Sequence, residues 1–477
     1  MNSDGRIGGD TVGFLNWIKG VFHNVFSPQE VYQIFKVQPA ASSVMMGSIE
    51  NWKQIYEGRA CWLDDDPEMR SAQFASIVSS EAARLATIEL AFKITGSARA
   101  DYLQQRMAKL QDKIRTQLEY ACAMGGMMLK PNGSGVDFIK HGEFIPVDLD
   151  SNGDITGVIF ISSKQVGDKY YNRFEYQRFE GSIYKISNKA FVSDSPNTIG
   201  RPISLAAVRE WVNIQPEVSI DHLEQPLFSY LKMPWANQID SSSPLGCSIF
   251  AKAIDTIQDI DITARGLRRE IKTADRKVFV SDKILRRDNK GNVTNNPIPD
   301  LIQGLEYGVD EANTYHEFNP TIRIAEYRQS MQTFLNIAGN QCGFSNGYFS
   351  FDEKTGMVTA TQVEADQQRT VSTATDIQKA LKTALSGLAY ALGVYATLYN
   401  LAPPGTYEES YSMRDLSVNV SEDRARAWQM VIANVLPKWK YLVDYEGYTE
   451  EEAKQLVAEA QQSANLSNPF GFGERDA

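Results

Sequence analysis

Residues Phe250 to Ala274 read FAKAIDTIQDIDITARGLRREIKTA. Apolar residues fall at Phe250, Ala253, Ile257, Ile260, Ala264, Leu267, Ile271 and Ala274, in unbroken steps of three and four. That rhythm predicts a helix with one narrow apolar seam, suited to packing on one or two other helices and not to burial all round. Asp255, Asp259 and Asp261 fill the first half, and Arg265, Arg268, Arg269 and Lys272 the second. This order complements the helix dipole.

C-terminal to this helix the pattern changes. Lys277-Val278-Phe279-Val280 reads as a strand, Asp288 to Asn292 as a turn and Asn295 to Pro299 as a loop. A second helix is predicted from near Thr321, after Pro320, to Gly339, returning the chain to the place the first helix left. A loop rich in Gly, Ser and Phe follows, from Asn340 to Met357. A very long helix is then predicted from Thr359 or Thr361, each with Gln or Glu three residues on as in a capping box. Its seam is Ala374, Ile377, Leu381, Leu385, Leu388, Leu392, Tyr395 and Tyr399, and Pro403-Pro404-Gly405 ends it. Some 40 residues at 1.5 Å each make a shaft of roughly 60 Å. The tail reads as a strand from Leu416 to Val420, then helices from Asp423 and Thr449.

N-terminal to the decisive stretch, helices are predicted over Asn51 to Trp62 (stopped by Asp64-Asp65-Asp66-Pro67), Met69 to about Ile94, and Arg99 to Met124. After Gly125-Gly126 the period shifts to two. From Val136 to Ile203 apolar and polar residues alternate, with turn signals at Pro131-Asn132-Gly133 and Asn152-Gly153, as in an antiparallel sheet. The fold class is therefore α+β.

The 477 residues suggest two to four structural units. Hydrophobic residues at 43% and charged residues at 22% mark a globular chain, not a disordered one. Cys61, Cys122, Cys247 and Cys342 form no CxxC pair, and the histidines are as scattered, so neither zinc nor disulfides are expected. The apolar stretch Phe14 to Phe26 is interrupted by Asn16, Lys19, His23 and Asn24 and is shorter than the ~20 residues that span a bilayer. It reads as an amphipathic helix that docks on another part of the protein or on a neighbour. The net charge of −11 argues against a protein that coats nucleic acid, though not against one that touches it lightly.

Candidate chemistry is sparse. No P-loop occurs. Gly133-x-Gly135 reads as a turn. Asp148-x-Asp150-x-Asn152-Gly153-Asp154 imitates an EF-hand loop, but the twelfth position is Ile159 where a bidentate Glu is required, so an Asn-Gly hairpin is expected. Asp64-Asp65-Asp66 reads as a solvated helix stop and not an acid pair. Gly343-Phe344-Ser345-Asn346-Gly347 matches a nucleophile elbow in letters only, because a helix precedes it where a strand is needed; a flexible loop is expected. No catalytic residue, metal ligand or cofactor site is assigned, and the chain is not expected to be an enzyme.

Charge is distributed more tellingly. Between Arg265 and Lys290 there are ten bases and four acids; from Asp300 to Glu317 there are five acids and no base. The plain reading is solvated faces; the sharper one is separated charge offered to a polyanion and to a protein partner.

At this point the order of segments resembles the portal proteins of long-tailed bacteriophages, especially those of Gram-positive hosts, over roughly residues 45 to 460. The residues that carry the resemblance are Lys232-Met233-Pro234-x-Ala236-Asn237 through Ser243-Pro244-Leu245-Gly246-x-Ser248-Ile249, and Tyr348-Phe349-Ser350-Phe351-Asp352 through Thr359-Ala360-Thr361-Gln362-Val363, with a similar Ile49 to Trp62 block. The resemblance implies a ring, typically of twelve copies, at one capsid vertex of the virion, assembled in the host cytoplasm. Double-stranded DNA would be driven through it by a separate terminase and later ejected. Residues 1–248 would form the wing, 249–275 and 319–339 the stem helices, 276–318 the clip, 340–358 the tunnel loop, 359–415 the long helix and rest of the wing, and 416–477 the crown and tail.

On that basis Arg265, Arg268, Arg269 and Lys272 are expected to touch DNA phosphates in the channel, without sequence specificity. Ion pairing between neighbouring stems is their competing role. Asp352, Glu353 and Lys354 would give the tunnel loop nearly balanced charge. Lys283, Arg286, Arg287, Glu306, Asp310 and Glu311 would bind the terminase large subunit and a head–tail adaptor at the clip. Further expected partners are the major capsid and scaffold proteins, with no membrane. A minor head or tail adaptor, or a carboxylate-dependent hydrolase using the chain's many aromatics, are the alternatives.

Overall fold

A computed structural model describes residues 28–64, 66–133, 135–196, 198–274, 277–281, 290, 302–305, 315–349, 360–414 and 420–466. The chain divides into two compact units, Met1–Arg414 and Asp415–Ala477. The described residues mix helix and strand, as the α+β reading requires.

The first unit opens with α1 (Pro28–Phe35) and α2 (Ser43–Tyr56). The Ser42 hydroxyl caps α2 by accepting from Met45 N at 3.2 Å, and Gly58, at φ +70°, lets the chain turn away after it. The helix expected over Asn51 to Trp62 therefore starts earlier and stops at Tyr56; Cys61–Leu63 is a separate 3-10 turn. The run expected from Met69 to Ile94 is also divided. Only α3 (Phe74–Ala86) is helical, and β1 (Ala91–Thr95) is a strand with Phe92 and Ile94 buried between exposed neighbours. Next come α4 (Ala98–Ala108) and α5 (Gln111–Met124), two helices where one was expected. Gly125, at φ +87°, ends α5.

Strands β2 (Gly126–Pro131), β3 (Val136–Lys140), β4 (Phe144–Leu149), β5 (Ile155–Val166), β6 (Lys169–Glu180), β7 (Ile183–Ser193), β8 (Arg201–Ile203), β9 (Glu217–Asp221) and β10 (Ser229–Lys232) follow. They form two sheets: β10-β2-β3, and β4-β5-β6-β7-β8 with β9 also on β7. All of these pairings are antiparallel. The Asn152-Gly153 turn joins β4 to β5 with Asp150 Oδ1 accepting from Asn152 N and Asp154 N, both at 2.8 Å, as the hairpin reading of that acidic stretch expects. A buried ion cluster lies inside this region. Lys130 Nζ is 3.0 Å and Arg173 Nη1 3.2 Å from the Glu175 carboxylate, and Gln177 donates to it.

Then come α6 (Ile254–Thr273), a small sheet of β11 (Lys277–Ser281), β12 (Ile302–Leu305) and β13 (Tyr315–Phe318), and α7 (Ile324–Gln341). β11 is central, parallel to β12 and antiparallel to β13. The helix α7 starts later than Thr321 and runs past Gly339, where the absent side chain leaves room for the Phe349 ring, 3.1 Å from where a Cβ would sit. The shaft is α8 (Ala360–Leu398), 39 residues. Its expected seam from Ala374 through Leu392 is buried, while Tyr399, just past its end, is 65% exposed. Finally β14 (Glu408–Ser412) pairs with β1, closing the unit.

The second unit holds α9 (Val420–Ile432), α10 (Lys438–Glu446) and α11 (Glu450–Leu466) around Ala427, Val431 and Tyr441. Thr449 and Glu452 form a reciprocal capping box, with N–H to carboxylate at 3.0 Å and N–H to hydroxyl at 3.3 Å. Of the strand expected over Leu416 to Val420, Val420 is helical and the remainder lies outside the described residues.

Candidate functional site

The helices α6 and α7 form a hairpin that leaves the body and returns to it. At its root Thr256 Oγ1 donates to Gln341 Oε1 at 2.9 Å. Toward its far end Arg323 meets Glu270 through two bonds, Nε to Oε1 at 3.0 Å and Nη2 to Oε2 at 2.9 Å. Between these points the Tyr327 ring lies against Gly266, where a Cβ would come within 2.7 Å of Cε1. A glycine in a helix interior costs roughly 0.5–1 kcal/mol relative to Ala. Here it buys close approach of the two helices.

The opposite flank of α6 faces the chain's own acidic segment. The Asp261 carboxylate, almost fully buried, accepts from Trp62 Nε1 at 2.9 Å and from Ala72 N at 2.6 Å. Burial raises its pKa from the ordinary aspartate value, against those two bonds and the nearby Arg268 charge. Arg265 pairs with Asp66, and Lys272 Nζ sits 3.0 Å from Glu68. Arg265 Nε and Arg268 Nη1 are enclosed without a hydrogen-bond partner among the described residues.

Helical geometry explains the partition. At about 100° per residue Arg265, Arg268 and Lys272 fall within a ~60° arc beside Asp261. Arg269 lies nearer Ile262, on the stripe between the acidic segment and α7. Both are exposed; Ile262 is 43% accessible, and Arg269 has no ion-pair partner among the described residues. Of the expected channel bases, Arg265 and Lys272 thus make ion pairs within their own chain, and Arg269 stands open.

Two further expectations meet the structure here. Asp66 is not a merely solvated helix stop, since it holds Arg265; Asp65 lies outside the described residues. The Gly343 to Gly347 stretch is not loose. Ser345 is buried and locked to Thr370, which receives its N–H at 2.8 Å and lies 3.0 Å away hydroxyl to hydroxyl. The rings of Phe344, Tyr348 and Phe349 pack on one another in tilted and edge-on pairs, and Phe349 sits edge-on to Phe74 of α3 at 5.2 Å. The Tyr348 hydroxyl bonds Glu81, whose carboxyl the Arg84 guanidinium holds below its ordinary pKa.

The tunnel-loop residues Asp352, Glu353 and Lys354, and the clip residues Lys283, Arg286, Arg287, Glu306, Asp310 and Glu311, lie outside the described residues. Among the described residues no group of three His, Cys, Asp or Glu could hold a metal ion, and no helix is long and apolar enough to cross a membrane.

The residues that sequence reasoning missed are Trp62, Asp66, Glu68 and Asp261. The acidic run was visible; its partners on α6, some 200 positions later, were not.

No protein-family model matches this chain, and no curated protein matches it in sequence. Among solved structures it is similar to a chain from the virion of a native gene transfer agent particle, with 10% identity, 83% of this chain and 92% of that chain covered, and a TM-score of 0.42. It is also similar to a chain from the neck of an empty particle of that kind, with 10% identity, coverage of 80% and 91%, and a TM-score of 0.39.

Proposed function

We propose that this chain is the repeating subunit of a portal-type ring, a conduit for double-stranded DNA at one vertex of a phage-like capsid. The observation that carries the reading is the α6–α7 hairpin. It departs from and returns to one place on an α+β body, bears the small β11–β13 sheet between its helices, and is followed by a 39-residue shaft. Ile262, Ile324 and Ile337 on the hairpin are each more than 40% exposed. Branched aliphatics left in water on a paired-helix element favour neighbouring copies packed beside it.

In this reading the ring does no chemistry. Each phosphate neutralised adds a salt-dependent hold on the duplex, so a conduit benefits from few bases. The intrachain pairing of Arg265 and Lys272 supports such economy, leaving Arg269 as the foremost candidate for passing contact with phosphates. The far end of the hairpin would receive a packaging ATPase and later a head–tail adaptor, and the body would meet capsid and scaffold proteins. Negative-stain imaging of the purified chain tests the proposal. A ring with a central hole, of about twelve copies, is expected; a monomer under all conditions would overturn it, and a holeless oligomer would favour an adaptor.

A further inference from the structure

A strap of chain lies beside α6 with both ends held by one residue. The Asp261 carboxylate accepts from Trp62 Nε1 through one oxygen and from the Ala72 backbone N–H through the other. The segment between these anchors carries Asp64, Asp65, Asp66 and Glu68 against a single base, Arg70. A tight turn shapes it: Glu68 N donates to Asp66 Oδ1 and Met69 N to Asp66 O, both at 2.8 Å. Two pinned ends keep these acids at a high local concentration beside the helix.

The bases they meet form a track. Arg265, Arg268 and Lys272 share one arc of α6 and span seven residues, about 10.5 Å at 1.5 Å per residue. One strand of a DNA duplex presents a phosphate about every 3.4 Å along the axis, so such a track matches about three phosphates. The strap already occupies it. Asp66 holds Arg265, Glu68 holds Lys272, and the Arg268 charge acts on Asp261. The pairs are not sealed from solvent: the Lys272 side chain is 66% exposed and that of Arg265 30%. A polyanion can reach these bases, but only in competition with carboxylates fixed next to them.

We propose that Asp66 and Glu68 are an internal decoy that occupies the α6 bases and lowers the hold of the chain on a passing duplex. The inference rests on the conduit reading for its cargo and adds to it the residues that set the grip. Its contacts lie among the described residues; the docking helix expected at 14–26 lies outside them.

Binding of a duplex of about 30 base pairs to the full chain, read by fluorescence anisotropy from about 50 to 200 mM salt, tests the decoy. The strap variant Asp66→Asn with Glu68→Gln frees two bases and leaves Trp62, Ala72 and Asp261 untouched. Each phosphate contact adds about 0.9 to the slope of log affinity against log salt. The slope should therefore steepen by ~2 or more, and affinity at about 50 mM should rise about tenfold. Adding Arg265→Gln and Lys272→Gln should cancel that gain. Glu217→Gln with Asp221→Asn removes the same charge from exposed positions on β9 and should leave binding near that of the parent.

Three results overturn the proposal. Parental binding by the strap variant would make the pairs mere attachments. An equal gain from the β9 variant would assign the effect to net charge. A gain that survives loss of Arg265 and Lys272 would put the contact elsewhere. Imaging judges the ring separately: rings whose grip ignores the strap sink the decoy alone, whereas a strap-dependent grip without rings keeps the decoy and removes the conduit.

Discussion

The Trp62 indole N–H donates to the Asp261 carboxylate at 2.9 Å, joining residues 199 positions apart. The backbone N–H of Ala72 reaches the other carboxylate oxygen. This single buried acid therefore fixes the hairpin helix against the segment that also supplies Asp66 and Glu68. Asp261→Ala would strand two enclosed donors, at ~1–3 kcal/mol each. We expect a loss of ~2–5 kcal/mol in urea unfolding; Asp261→Asn keeps one acceptor oxygen but turns its NH2 toward the other donor, so it should lose ~1–3 kcal/mol. Equal stability of Asp261→Ala and the parent chain would refute the clamp.

Charge neutralisation should separate the bases by role. Arg265 and Lys272 are partly exposed ion pairs, so Arg265→Gln or Lys272→Gln should change stability by ~1 kcal/mol or less. Arg269→Gln should leave stability alone and, if the chain forms the proposed conduit, lower the salt dependence of DNA passage through it. A packaging rate measured across salt concentrations that responds to Arg265→Gln but not to Arg269→Gln would reverse the assignment.

Gly125 and Gly246 should tolerate no side chain. A Cβ on Gly246 would come within 2.3 Å of Gly125 O, and one on Gly125 within 2.2 Å of Gly246 O. Rigid backbone cannot yield as a side-chain tip would, so Gly246→Ala should cost at least ~1–3 kcal/mol. Thermal unfolding reads it; an unshifted midpoint is the contrary result.

Acid should weaken the body through His141. Its ring is buried against Phe144, with Nε2 3.1 Å from the Tyr230 hydroxyl, and burial pushes its pKa down to about 3. The unfolded chain binds this proton from about pH 6.5 downward, whereas the folded chain resists until about pH 3. Stability should therefore fall as pH drops through that window. His141→Gln should flatten the slope of unfolding free energy against pH between 6.5 and 4; an unaltered slope would exclude His141 as its source.

The acidic run of the small domain should select a partner. If the chain is the proposed portal-type subunit, exchanging Glu306, Asp310 and Glu311 for Lys is expected to abolish binding of either a packaging ATPase or an adaptor in a pull-down. Normal binding of both would move the dock elsewhere.

Short-range pattern carried much of this architecture. Seams at three- and four-residue steps reveal α6 and α8, alternation reveals β5 to β7, and Asn152-Gly153 reveals a hairpin, because each is set by neighbours within a few positions. Broken patterns were harder. β1 looked helical because its partner β14 is over 300 residues away, and nothing local announces that pairing. The divided helices turn on caps and left-handed residues such as Glu89, at φ +55°, which is uncommon outside glycine.

For the candidate site, sequence alone determined which bases ride on α6 and that acids lie elsewhere in the chain. Which base meets which acid was decided by tertiary structure. An ion pair depends on separation in space, and only the packing of α6 beside Trp62 and Ala72 brings Asp66 to Arg265 and Glu68 to Lys272 while leaving Arg269 in water.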